Sequence, residues 1–200
     1  MQQHSAQFLD NADTAISDSQ AAQKRDLLAI FAPLMRDAAV DGFSAYEATR
    51  QHVKRVRRHS LDNLAHYLAQ FEQQAVGNGN RVHFARNADE MNSIALDICQ
   101  QHGAQHVAKG KSMVTEETGL NDFLQRAGLH VVETDLGEYI IQQAGETPSH
   151  IVGPALHKSG DDIRALFLER HQLGERQLDD TTALVDEARN VLRPQFLQAD

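Results

Sequence analysis

Residues 80–200 are predicted to form an α/β domain, a mostly parallel sheet with flanking helices, behind a helical region over residues 1–79. Three observations carry that prediction. In the first part, apolar residues recur at helical spacing. Gly77-Asn78-Gly79-Asn80 then punctuates the chain, and the period changes after it. Beyond that point, short β-branched runs alternate with helical stripes, the pattern of right-handed crossovers between parallel strands.

Leu27, Leu28, Phe31, Leu34 and Met35 form the first helical stripe, interrupted by Pro33. Asp41-Gly42 punctuates, and residues 44–58 read as the next helix. Behind a Ser60 cap, Leu61, Leu64, Ala65, Leu68, Phe71 and Ala75 share one apolar face. Residues 81–85 read as a short strand. Asn87 with Glu90 makes a capping-box-like start for a helix carrying Met91, Ile94, Ala95, Ile98 and His102, which Gly103 stops. Strands are expected at residues 106–108, 129–133 and 150–152, with a helix through Leu120, Phe123, Leu124 and Ala127 ending at Gly128. Ser159 caps a further helix, with Asp162 three positions on. The last helix, residues 182–193, is expected to break near Pro194.

Composition narrows the function. A net charge of −9 disfavours nucleic acid as the main partner, since phosphate binding needs a basic face. No apolar run approaches a membrane span, and the polar first ten residues lack a signal-peptide core, so a cytoplasmic location is expected. Cys99 is the single cysteine, so no intrachain disulfide can form. Its spacing to His102 and His106 invites a zinc reading, but Gly103 breaks the helix between the histidines, and a buried inert thiol is favoured.

Chemistry concentrates at Lys109-Gly110-Lys111-Ser112, a strand-to-helix turn of the kind where α/β folds place ligands. Two lysines, a glycine and a hydroxyl can hold an anion there, although the glycine spacing of a phosphate loop is missing. Judged on spacing alone, two solvated lysines are the default. Glu116 and Glu117 follow in a first helical turn, where the dipole favours negative charge. One of them is expected to serve that role, the other to pair with Lys111 or act as an acid/base group. Asp135 and Glu138 flank Gly137 after the next strand; His150 and His157 bracket the fourth, with Lys158 beside the second. Lys109, Lys111, Ser112, Glu117, Asp135, Glu138, His150 and His157 make up the candidate ligand-binding set, gathered from several crossovers toward one sheet edge. His52, His59 and His66 read as solvated. Arg50, Lys54, Arg55, Arg57 and Arg58 read as a solvated basic face or a dock for an acidic subunit.

Four stretches match one family in order: residues 109–117 (KGKSMVTEE), 133–142 (ETDLGEYIIQ), 148–152 (PSHIV) and 154–158 (PALHK). They resemble the lactate utilisation protein B family, iron–sulfur-cluster-binding proteins with a LUD domain. The resemblance implies a sugar-phosphate isomerase or CoA-transferase-like α/β fold and favours a ligand at the lysine turn. It also implies the N-terminal portion of an iron–sulfur subunit in a complex that oxidises L-lactate to pyruvate. Other subunits of that complex are the expected partners, with a small carboxylate as a possible substrate. No cofactor is expected in this chain, because a 4Fe–4S cluster needs about four thiolates; the full-length protein would carry the cluster. Members of the family continue beyond this point, so an incomplete sheet with an exposed last edge is expected. Two alternatives stand beside this one: a stand-alone domain binding small anions or metabolites, and a subunit-docking scaffold without a small-molecule site.

Overall fold

The computed structural model describes residues 7–146, 148 and 153–200. They fall into two compact units, residues 7–84 and 85–200. The strand expected at residues 150–152, and His150 with it, lies outside the described residues.

Helices α1 (Phe8–Ser17), α2 (Ser19–Asp41), α3 (Tyr46–Asp62) and α4 (Leu64–Gly77) make up the first unit. Pro33 does not interrupt α2, which runs straight through it; the ring withholds only the one amide bond to the Ala29 carbonyl. Ser60 is not a cap. Its hydroxyl donates to the Val56 carbonyl at 3.0 Å inside α3, the back-bond that lets a serine sit within a helix. The break comes at Asn63, whose side chain donates to the His59 carbonyl at 2.8 Å. His59 is tied to α4, with its Nε2 2.9 Å from the Tyr67 hydroxyl. The apolar faces are present as expected, but α1, α3 and α4 bury no residue. Leu61 and Phe71 are 70% and 63% exposed, a stripe wide enough to mark an interaction surface. Residues 81–85 form no strand.

The second unit is layered about two short parallel strands, β1 (His106–Lys109) and β2 (His130–Glu133), in the register His106 opposite His130 and Lys109 opposite Glu133. Alternation along β2 sends adjacent valines to opposite faces. Val131 joins Leu120, Leu124 and Leu129, backed by Met91, Ala95, Cys99 and Phe123. Val132 joins Tyr139, Ile140, Phe167, Leu178, Leu184, Ala188 and Leu192. Helices α5 (Ala88–Gln101), α6 (Met113–Thr118) and α7 (Leu120–Arg126) accordingly serve the first face, and α8 (Leu136–Ala144), α9 (Gly160–Arg170) and α10 (Thr181–Gln198) the second. Both outer edges of the pair are partly occupied. The Gln142 amide accepts from the Glu133 N–H at 3.0 Å and donates to the Val131 carbonyl at 2.9 Å, imitating a strand. On β1, the Asp200 carboxylate accepts from the backbone N–H groups of Gln105 and His106, at 2.6 and 2.9 Å.

Local signals at the helix ends operate as read. Asn87 accepts from the Glu90 N–H, and Glu90 reaches back to the Arg86 N–H. Ser159 and Asp162 complete a reciprocal capping box. Gly103 and Gly128 stop α5 and α7 at φ of +66° and +92°, where a Cβ would be strained. The last helix differs from expectation, because α10 passes through Pro194 to Gln198 at the loss of one bond to Asn190. Cys99 is only partly buried, packed against the first core cluster.

A buried polar chain joins the three helices of the second face. The Tyr139 hydroxyl lies 2.9 Å from His171 Nε2, and His171 Nδ1 lies 3.0 Å from Glu187 Oε1. Arg176 Nε donates to Glu187 Oε2 at 2.6 Å, and Phe167 stacks on the His171 ring. Burial, followed by the nearby Glu187 charge, pushes the Tyr139 hydroxyl up to about 12. For Glu187, burial raises the pKa, but Arg176 and His171 outweigh it and hold the carboxyl below its ordinary value. A depressed carboxylate contributes stability above its unfolded pKa and loses it as the pH falls through the folded value. Glu187→Gln should therefore destabilise the chain by about 3 kcal/mol at about pH 7 and flatten its loss of stability on acidification. Urea denaturation across the acid range measures both; an unchanged midpoint at neutral pH would show the chain to be energetically idle.

Candidate functional site

Lys109 ends β1 opposite the end of β2, so its side chain leaves the sheet on the same face as Glu133. Its ammonium spends all three donors. It lies 2.6 Å from Glu133 Oε1, 3.1 Å from Glu116 Oε1 and 2.9 Å from the Thr115 hydroxyl. Its side chain is 10% exposed and that of Glu133 is 3% exposed, so this lysine is not solvated but locked. Asn121 also donates to Glu133 Oε1, at 2.6 Å, while Glu133 Oε2 is buried with no hydrogen-bond partner among the described residues. Burial raises the Glu133 pKa against the pull of Lys109 and Asn121.

Two residues on, Lys111 is more open, at 34% side-chain exposure, and its Nζ sits 3.0 Å from Glu138 Oε1. Glu138 is buried in the first turn of α8, and its Oε2 has no partner among the described residues. Asp135 caps that helix, accepting from the Gly137 N–H at 3.1 Å. The carboxyls of Asp135 and Glu138 are pushed apart. Burial, then the neighbouring Asp135, raises Glu138 despite Lys111. Asp135 is held low, first by Glu138 and then by the backbone N–H of Gly137, with burial opposing both. Such a divergence of neighbouring carboxyls is what proton-handling sites use.

Several expected placements change. Ser112 serves mainly as the cap of α6, its oxygen accepting from the Thr115 N–H at 3.4 Å. Pairing falls to Glu116 with Lys109 and to Glu138 with Lys111, whereas Glu117 is exposed; adjacent helix positions diverge by about 100°, so only one of the two glutamates can face the strand end. At Gly110 a Cβ would meet nothing within 4 Å among the described residues, so no packing contact there calls for glycine. At Gly137 one does, because a Cβ would fall 2.8 Å from Pro154 Cγ, and the 153–158 segment crosses α8 at that point. Nor does the whole set converge. His157 and Lys158 both pair with Glu146, at 2.7 and 2.5 Å, beyond the other end of α8 from Glu138. Glu138 and Glu146 stand eight positions apart, about 12 Å at the rise of a helix. Sequence reading missed Glu133, Thr115 and Asn121; the strand pattern made Glu133 a candidate only once the register was known.

These geometries separate the lysines by role. Lys109→Met should cost about 3–5 kcal/mol, leaving the buried Glu133 and the half-buried Glu116 without their cation. Lys111→Ala should cost less, about 1–2 kcal/mol, because Lys111 is half-open to water although Glu138 beside it is buried. Chemical denaturation of the two variants side by side checks the contrast, and equal losses would refute it.

With the geometry in place, similarity to known proteins can be read against it. The LUD domain family matches residues 68–200. Lactate utilization protein B of Bacillus velezensis is 44% identical over 163 residues, 81% of this chain and 34% of that protein. Its counterpart in Bacillus subtilis is 42% identical over the same coverage. An Escherichia coli relative called uncharacterized electron transport protein YkgF is 41% identical over 165 residues, 82% of this chain and 34% of its own length. The chain spans about a third of the length of these relatives. No solved structure matches it. The turn after β1 and the start of α8, which hold the two lysine–carboxylate pairs, both lie within the matched residues, and the chain belongs to the LUD domain family.

Proposed function

We propose that this chain is the N-terminal, LUD-domain portion of a cytoplasmic iron–sulfur subunit that takes part in oxidising L-lactate to pyruvate. In that role it holds the small carboxylate at Lys111 and Glu138. The observation that carries the site is the half-open Lys111 ammonium on a buried glutamate whose second oxygen has no partner among the described residues. A 2-hydroxy acid offers the complement, a carboxylate for the cation and a hydroxyl for the acceptor oxygen. Similarity to proteins named for lactate utilisation supports the same substrate class. Asp135 and Ser112 hold the two helix starts around it, and Glu117, His150 and His157 are further contact residues for a ligand or a neighbouring subunit.

The chain's own residues do not fit a 4Fe–4S cluster. Cys99 is its one cysteine and packs beside Met91 and Ala95, whereas such a cluster takes about four thiolates. On this reading the cluster belongs to other parts of the full-length protein, and these residues bind and orient. No described helix is long and apolar enough to cross a membrane. A scaffold role gains support from the helical unit, where α3 presents Val53 and Leu61 beside Arg50, Lys54 and Arg57. That face suits other subunits of a lactate utilisation complex.

Calorimetry tests the binding role. L-lactate or pyruvate should bind the chain, and Lys111→Ala should weaken binding about tenfold or more, the worth of one charge-assisted hydrogen bond. Equal heats for wild type and variant would make the turn structural. Supplied with L-lactate and an artificial electron acceptor, the chain alone should show no turnover, whereas the full-length protein with its partner subunits should reduce the acceptor. Turnover by the chain alone would overturn this division of labour.

A further inference from the structure

Lys111 is already neutralised. A carboxylate that reaches it competes with Glu138 Oε1, which now sits 3.0 Å from the ammonium. The displaced carboxyl has nowhere favourable to go as an anion. It is buried, its other oxygen has no partner among the described residues, and α8 begins with a second carboxylate, Asp135, beside it. Among the described residues, charges acting on Glu138 come from the turn after β1, through Lys111, and from its own helix start, through Asp135; the segment crossing α8 at Gly137 brings Pro154, which carries none. Exchanging one carboxylate for another on a single lysine would leave two anions and one cation in a place withdrawn from water. Burial penalises that arrangement by several kcal/mol per uncompensated ion.

We propose that a small carboxylate binds at Lys111 by displacing Glu138, and that Glu138 takes up one proton from solvent as it leaves the ammonium. The ligand carboxylate then holds Lys111, and the neutral Glu138 carboxyl is both a donor and an acceptor. In that form it accepts from the hydroxyl of a 2-hydroxy acid or donates to the oxygen of the corresponding keto acid. One site thus accommodates both redox forms of the substrate without rearranging. The direction of the Glu138 shift, upward through burial and the neighbouring Asp135, is in keeping with the exchange. This step rests on the carboxylate-binding role proposed above.

Proton uptake is measurable apart from affinity. Pyruvate and L-lactate would be titrated by calorimetry into the full chain near pH 6–7, in two buffers of different ionisation enthalpy. The expected result is uptake of about one proton per ligand and an affinity that falls toward tenfold per pH unit above the Glu138 pKa. Glu138→Gln, whose amide is neutral at every pH, should bind without net proton uptake and with a flat pH profile. Binding to wild type with no buffer dependence overturns the exchange while leaving the binding site in place. Uptake that persists in Glu138→Gln assigns the proton elsewhere and overturns it equally. Failure of either acid to bind wild type overturns the binding role, and the exchange with it.

Discussion

The Lys109–Glu133 pair is the constraint around which the second unit is arranged. These residues end the two strands, face one another in register and meet at 2.6 Å in a place withdrawn from water. Two charges buried together are costly unless their donors and acceptors find partners, and the surrounding elements supply most of them, leaving Glu133 Oε2 without one among the described residues. Thr115 and Glu116 of α6 complete the ammonium, and Asn121 of α7 donates to the carboxylate. A slip of one residue in the pairing would send Lys109 to the opposite face and into the apolar cluster around Val132. Register, the turn after β1 and the placement of α6 and α7 follow from one ion pair.

That arrangement separates two lysines that look equivalent in sequence. Lys109 is committed to structure by its two carboxylates. Lys111, one strand period beyond, emerges at the start of the turn and pairs with Glu138. Four carboxylates, Glu116, Glu133, Asp135 and Glu138, surround two ammonium groups, so the site as a whole is acidic rather than a ready anion trap. Glu138 is the member of the group that is buried, has an oxygen without a partner among the described residues and pairs with the more accessible cation.

Charge is also distributed unevenly along the chain. Residues 1–84 carry nine basic and nine acidic side chains, and the whole excess of negative charge lies in residues 85–200. Within the first unit the basic residues cluster on α3, among apolar side chains that remain exposed. Helix-forming periodicity there is local and needs no core of its own. An amphipathic stripe states that a face will be covered, and the described residues of this unit do not cover it.

Helix periods, the Asn87 and Ser159 caps, the Gly103 and Gly128 stops and the two strands of the sheet were legible because each depends on residues within a few positions of one another. The turn at residues 109–112 stood out for the same reason, as a local concentration of charge. What the sequence could not determine was partnership. Whether Lys109 or Lys111 stays accessible depends on Glu133, twenty-four residues away, and on a strand register that no local pattern states. Glu116 rather than Glu117 pairs because a short helix turns one toward the strand end and the other to solvent. His157 leaves the lysine turn because α8 stands between Glu138 and Glu146. Pro33 and Pro194 lie inside helices because neighbouring turns supply enough hydrogen bonds to outlast one missing donor. Side-chain type and local period are properties of the chain alone, whereas which charges meet, and which of them remain open to water, is decided by tertiary packing through the desolvation it imposes.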